Sequence, residues 1–97
     1  APLPVLNIRQ LPRDRALEQV ATFLAQQRQA GKKFVRVITG KGLSSRGDPV
    51  LKPAVIAYCE GPGATDVTAW APERDRQGAF GSIVIRLRSR HQSPLGQ

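Results

Sequence analysis

Phe34-Val35-Arg36-Val37-Ile38-Thr39-Gly40-Lys41-Gly42 decides how this chain of 97 residues is read. Phe34, Val35, Val37 and Ile38 make a short apolar run that predicts a strand. The strand runs into a Gly-Lys-Gly loop, and a helix signal follows a few residues later. In α/β proteins ligands bind beyond the carboxyl ends of strands. A glycine there can take φ > 0 and let the backbone approach a ligand closely. Successive free N–H groups form a concavity that attracts anions, and Lys41 adds a charge. The stretch therefore predicts a phosphate contact at the mouth of a sheet. It is not a nucleotide-binding P-loop, which needs glycine where Val35 stands and Ser or Thr where Gly42 stands. A glycine turn with Lys41 solvated is the competing reading.

Working outward, Ala1-Pro2-Leu3-Pro4 reads as an extended arm, because proline resists helix and strand interiors. Leu6 and Ile8 alternate with Asn7 and Arg9 in a half-buried strand between Val5 and Leu11, which Pro12 ends. From Arg13 to Ala30 the period becomes helical: Leu17, Val20, Ala21 and Leu24 share a core face, Asp14 suits the first turn, and Gly31 is the stop. Beyond the central loop, Asp48-Pro49 predicts a helix start, with Pro53 in conflict unless the helix turns regular only after Lys52. Val67, Ala69 and Ala71 alternate with Thr68 and Trp70 in a third strand. A charged loop, Pro72 to Gly78, leads to a fourth strand, Phe80 to Arg88. There Ile83, Ile85 and Leu87 share one face, opposite Ser82, Val84, Arg86 and Arg88. The tail from Ser89 has no core pattern and is expected to be mobile.

The order β-α-β-α-β-β predicts an α/β two-layer sandwich with a four-stranded mixed sheet. One domain over residues 1–97 is expected, with a core at about 5–88, arm 1–4 and tail 89–97. The apolar fraction of 40% supports one modest core. The 15 Lys and Arg outnumber 7 Asp and Glu, a net charge of +8, which favours a polyanionic partner. A single cysteine, Cys59, excludes an intrachain disulfide and reads as a small buried apolar residue. The lone His91 and Cys59 cannot supply a structural zinc set. No apolar run approaches a membrane span and no signal-peptide pattern is present, so a cytoplasmic monomer without membrane contact is expected.

If the first three strands run the same way, the loop after the third emerges beside Thr39–Gly47. Arg74, Arg76, Gly78 and Gly81 would then join Lys41, Arg46 and Lys52 at one sheet edge. Cations displace counterions from phosphates, and glycines permit close approach. The competing reading pairs Arg74 and Arg76 with Glu73 and Asp75. Arg86, Arg88 and Arg90 alternate as a basic ridge, which on an edge strand would also block aggregation. Trp70 could stack on a base, although packing with its N–H at the rim is favoured. No nucleophile–base pair or metal-spaced carboxylate set stands out.

With these residues in hand, the chain resembles the small MutS-related (Smr) domain over about residues 5–88. Val37-Ile38-Thr39-Gly40-Lys41-Gly42 matches that family's strand and Thr/His-Gly-x-Gly loop. Val50-Leu51-Lys52-Pro53-Ala54-Val55 is similar to its second helix. Ala69-Trp70-Ala71 and Gly78-Ala79-Phe80-Gly81-Ser82 are similar to its aromatic strand and Gly-x-x-Gly turn. The resemblance implies a sandwich like the C-terminal domain of translation initiation factor three. It further implies nucleic-acid binding and, in several members, endonuclease activity, in stand-alone proteins, larger parents or ribosome-associated factors.

Nuclease members usually carry Leu-Asp-Leu-His-Gly at the first strand, where this chain has Leu6-Asn7-Ile8-Arg9-Gln10. An amide is neither a carboxylate base nor a charged metal ligand, and a guanidinium does not exchange protons near neutral pH. The expectation is a DNA- or RNA-binding domain of weak sequence specificity with nuclease chemistry weakened or lost. Arg9, Thr39, Gly40, Lys41, Gly42, Arg46, Lys52, Arg74, Arg76, Gly78 and Gly81 are its expected contacts, and no cofactor is expected. The alternatives are an active endonuclease, with Lys41 steadying charge at phosphorus and a divalent metal assisting, or a docking module for a protein or the ribosome.

Overall fold

Two short strands, Val5–Asn7 (β1) and Phe34–Ile38 (β2), pair in parallel, with Leu6 opposite Val37. They belong to a computed structural model that describes residues 2–40, 50–74 and 80–90, with the backbone alone for Phe80. The connection between them is helix α1, Arg13–Gln29. Its buried face is Ala16, Val20 and Leu24, while Leu17 and Phe23 pack at the margin. Gly31 takes φ 81°. The Gly31 N–H donates to Arg28 O and the Lys32 N–H to Gln27 O, the paired bonds by which a left-handed glycine closes a helix end.

Helix α2, Leu51–Glu60, buries Leu51, Ala54, Val55 and Cys59. Pro53 causes no break. It occupies the first turn, where N–H groups have no intrahelical acceptor and a missing donor costs nothing. The Ala54 N–H makes the bond to Val50 O at 2.9 Å. The Asp48-Pro49 start expected from the sequence lies outside the described residues. Burial pushes the Cys59 thiol up to about 11, as suits a small group 3% exposed in the core.

After a 3-10 turn, Pro62–Thr65, come β3, Val67–Arg74, and β4, Phe80–Leu87. The sheet order is β1-β2-β4-β3, with β4 antiparallel to both neighbours. The first three strands therefore share one direction. The basic ridge expected on an edge strand is corrected by this order: β4 is interior, and β1 and β3 are the edges. β3 continues beyond Ala71 through Pro72, which an edge strand tolerates because one row of its N–H groups needs no partner. An irregularity between Val67 and Ala69 shifts the register, so Val67 faces Leu87 and Trp70 faces Ile85. Simple alternation had placed Val67 with Ala69 and Ala71; the extra residue turns Trp70 toward the helices instead.

Both helices cover one face of the sheet, where Val35, Val37, Ile83 and Ile85 join Val20, Leu24, Leu51 and Val55 in one core. Each such side chain stabilises the fold by about 1.5–3 kcal/mol relative to exposure. The other face carries no helix among the described residues.

Candidate nucleic-acid interface

The strand directions bring the ends of β1, β2 and β3 to one edge of the sheet, beside the start of β4. Thr39 and Gly40 continue β2, and both N–H groups donate to Gly81 O, at 3.0 and 3.1 Å. Gly40 takes φ 88°. A Cβ there would lie 3.2 Å from Arg9 Cγ, so Arg9 rests against Gly40. Arg9 itself is held by the residue two before it: Asn7 Oδ1 accepts from the Arg9 N–H at 3.0 Å and from Nε at 3.3 Å. Asn7 and Arg9 are both exposed. Gln10 follows at φ 69°, a left-handed conformation that costs a side-chain-bearing residue about 1–2 kcal/mol.

Arg74, exposed at the end of β3, lies opposite Phe80 at the same edge. Because β2 ends at this edge and β3 returns to it, α2 begins here and runs away from it. Lys52 sits in its first turn, partly buried, and desolvation lowers its pKa. Of the residues expected at the rim, Arg9, Thr39, Gly40, Gly81, Arg74 and Lys52 therefore gather at one end of the sandwich. Lys41, Gly42, Arg46, Arg76 and Gly78 lie outside the described residues.

Several cations have a structural assignment instead. Arg28 donates to Thr65 O at 2.8 Å and Ser89 O at 3.1 Å, and pairs with Asp66 at 3.1 Å. Arg88 donates to Ala64 O, Thr65 O and Val67 O. These two arginines fasten the 3-10 turn to the ends of α1 and β4. Arg36 reaches across β4 to Glu73, with Nε–Oε1 2.7 Å and Nη2–Oε2 2.9 Å, while Ser82 Oγ donates to Glu73 Oε1 at 2.7 Å. The Arg36 hydrogen bond, joined by that from Ser82, lowers the Glu73 pKa against the opposing effect of burial. Glu73 thus serves Arg36 across the sheet; Asp75 and Arg76, the other members of the competing reading, lie outside the described residues. The partner was not legible because register alone brings residues 36 and 73 together. Trp70 is part-buried on the core, and its Nε1–H donates to Glu60 Oε2 at 3.3 Å, which settles it as a packing residue.

The Smr domain model matches residues 6–88 of this sequence. The chain belongs to the Smr domain family. Solved structures agree: the Smr domain of Thermus thermophilus MutS2 superposes with a TM-score of 0.75 at 24% identity, over 89% of this chain and 99% of that one. YdaL, a stand-alone small MutS-related protein from Escherichia coli, gives 0.72 at 24% identity, over 88% of this chain and 64% of that one. The Smr domain of NEDD4-binding protein 2 gives 0.64 at 28% identity, over 92% of this chain and 90% of that one. A comparison with curated protein sequences found no match.

The Smr family is generally linked to nucleic-acid binding or nuclease activity. In this Smr domain the first-strand Asp and His are Asn7 and Arg9, and the structure joins those two side chains to each other. The donor set at that place does not fit a divalent cation. The Asn7 carbonyl already accepts two N–H groups, and a cation beside it would face the Arg9 guanidinium. Among the described residues no group of three or more His, Cys, Asp or Glu side chains could hold a metal ion.

Proposed function

We propose that this Smr domain binds nucleic acid along the rim, contacting the phosphate backbone with little reading of base sequence, and that its cleavage chemistry is weakened or lost. The observation that carries this is the joining of Asn7, Arg9 and Gly40. A guanidinium anchored at its Nε by a neutral amide keeps its terminal N–H groups for an anion, and it rests on a glycine backbone that permits close approach. Gly40 and Gly81 shape the floor, whereas Thr39 is buried and the N–H groups of Thr39 and Gly40, expected to be free for an anion, are spent on Gly81 O. Arg74 and Lys52 add charge on either side, and Lys41, Gly42, Arg46, Arg76 and Gly78 belong to the same proposed contact by their place in the chain. Among the described residues no helix is aimed outward at a groove, so direct base readout has no described element to carry it. An Asp-like general base is absent from the Asn7 position, and Arg9 cannot shuttle a proton near neutral pH.

Incubation of the purified protein with supercoiled plasmid and with structured RNA, with and without Mg²⁺ or Mn²⁺, tests the second half. Substrates retained by the protein but left intact are expected. Nicking abolished by Lys41→Ala would replace the binder with an endonuclease. Restoring both residues, Asn7→Asp with Arg9→His, is the complementary arm: a gain of cleavage over the parent is the expected direction.

A further inference from the structure

The end of the sheet opposite the rim holds a second group of cations that neither the fold nor the rim employs. Phe34 opens β2 and Arg86 lies directly across from it on β4. Their neighbours in sequence, Val35 and Leu87, point into the core, so Phe34 and Arg86 stand together on the face that no described helix covers. Phe34 is 43% exposed, a large share for an aromatic side chain. Lys32 and Lys33, both exposed, lead into the strand. A cleft of about 630 Å³ opens here, with Gly31, Lys32, Lys33, Thr68, Arg86 and Arg90 on its walls.

The acids described toward this end are already engaged. Asp66 is held by Arg28 and Glu60 accepts from Trp70. Among the described residues Lys32, Lys33 and Arg86 pair with no carboxylate. The group is distinct from the rim, since the five steps from Phe34 to Thr39 span about 17 Å of extended strand.

We propose that this end is a second contact for single-stranded nucleic acid, with Phe34 stacking on one base while Lys32, Lys33 and Arg86 hold the flanking phosphates. Uncompensated cations call for an anionic partner, and an accessible aromatic ring beside them selects one that presents flat, unpaired bases. Duplex bases are stacked and closed to such a ring, which is why a single strand is the ligand. The ligand class rests on the rim reading, whereas the residues are separate, so the two can fail separately.

Titration of the ¹⁵N-labelled protein with oligothymidylate, followed by amide shifts, tests this without altering the chain. Perturbation at Lys32, Lys33, Phe34 and Arg86 is expected. Shifts confined to Arg9, Thr39, Gly40 and Gly81 would overturn the second contact and leave the rim reading standing. Shifts confined to the second group would support it and remove the rim. No shifts at either would remove both. Phe34→Leu keeps an apolar side chain but no ring, and should weaken oligothymidylate binding roughly tenfold. Lys32→Ala with Lys33→Ala should flatten the single-strand salt slope by about 1.4. Polyglutamate bound as well as oligothymidylate, with Phe34→Leu indifferent, would assign this end to an acidic protein and overturn the proposal.

Discussion

Arg9 is held from two sides, by the Asn7 carbonyl and by the bare α-carbon of Gly40. Gly40→Ala should therefore act twice. A side chain at φ 88° costs about 1–2 kcal/mol, a fall in Tm of roughly 4–16 °C for a domain of this size, readable by calorimetry. The added methyl also presses on Arg9, so affinity for nucleic acid should drop more than an equally destabilising core change would cause. The Arg36–Glu73 pair behaves differently, because it lies on the open face and ties β2 to β3 across β4. Its Glu73 pKa is lowered in the folded state. The stability it contributes is present above the unfolded carboxylate value of about 4.3 and is lost as pH falls through the folded value. A double-mutant cycle with Arg36→Met and Glu73→Gln should show a coupling of about 1 kcal/mol near neutral pH that disappears in acid. A coupling that persists there would contradict the assignment. Asn7 and Arg9 were legible in the sequence as a departure from the Smr motif. That they bond to each other was not, because nothing in an i, i+2 spacing on a strand requires the second residue to fold back.

At the scale of elements, the period of the apolar residues was enough to place α1, β2 and β4, because each buries one continuous face. β3 was harder. Its alternation is read from small and polar residues, and the irregularity after Val67 reverses which of them face the core. Pro72 looked like the end of the strand and is a member of it, a consequence of edge position that only the sheet order reveals. Arg86, Arg88 and Arg90 read as a basic ridge along the last strand, for binding or for blocking aggregation, yet Arg88 folds back onto three carbonyls around the 3-10 turn. Arg88→Met keeps much of the stem and removes those donors. It should destabilise the domain by about 1–3 kcal/mol in denaturant unfolding while leaving nucleic-acid affinity nearly unchanged at temperatures where the protein is folded. Arg86→Met should do the reverse: little change in stability and a loss of single-strand affinity. If Arg88→Met weakened binding as much as Arg9→Ala, the division between fastening and binding arginines would be wrong.

At the scale of the molecule, the net charge of +8 is distributed with a purpose that composition alone hides. Arg28, Arg36 and Arg88 bind the protein to itself. Arg9, Lys52 and Arg74 gather where three strands end, and Lys32, Lys33 and Arg86 gather at the opposite end. The gathering at the rim follows from a topology that sends β1, β2 and β3 the same way, which the β-α-β-α order made readable in advance. The opposite cluster was not readable, since Lys32 and Lys33 sit at a helix stop and resemble an ordinary solvated turn. The central claim is that the rim neutralises phosphates, and the most direct test is the salt dependence of binding to duplex DNA, for the parent protein and for Arg9→Ala. With about six phosphates neutralised, affinity should fall ~10³-fold between 50 and 200 mM salt, and Arg9→Ala should reduce the slope by about 1. An affinity indifferent to salt, or a slope that Arg9→Ala leaves untouched, would contradict the account.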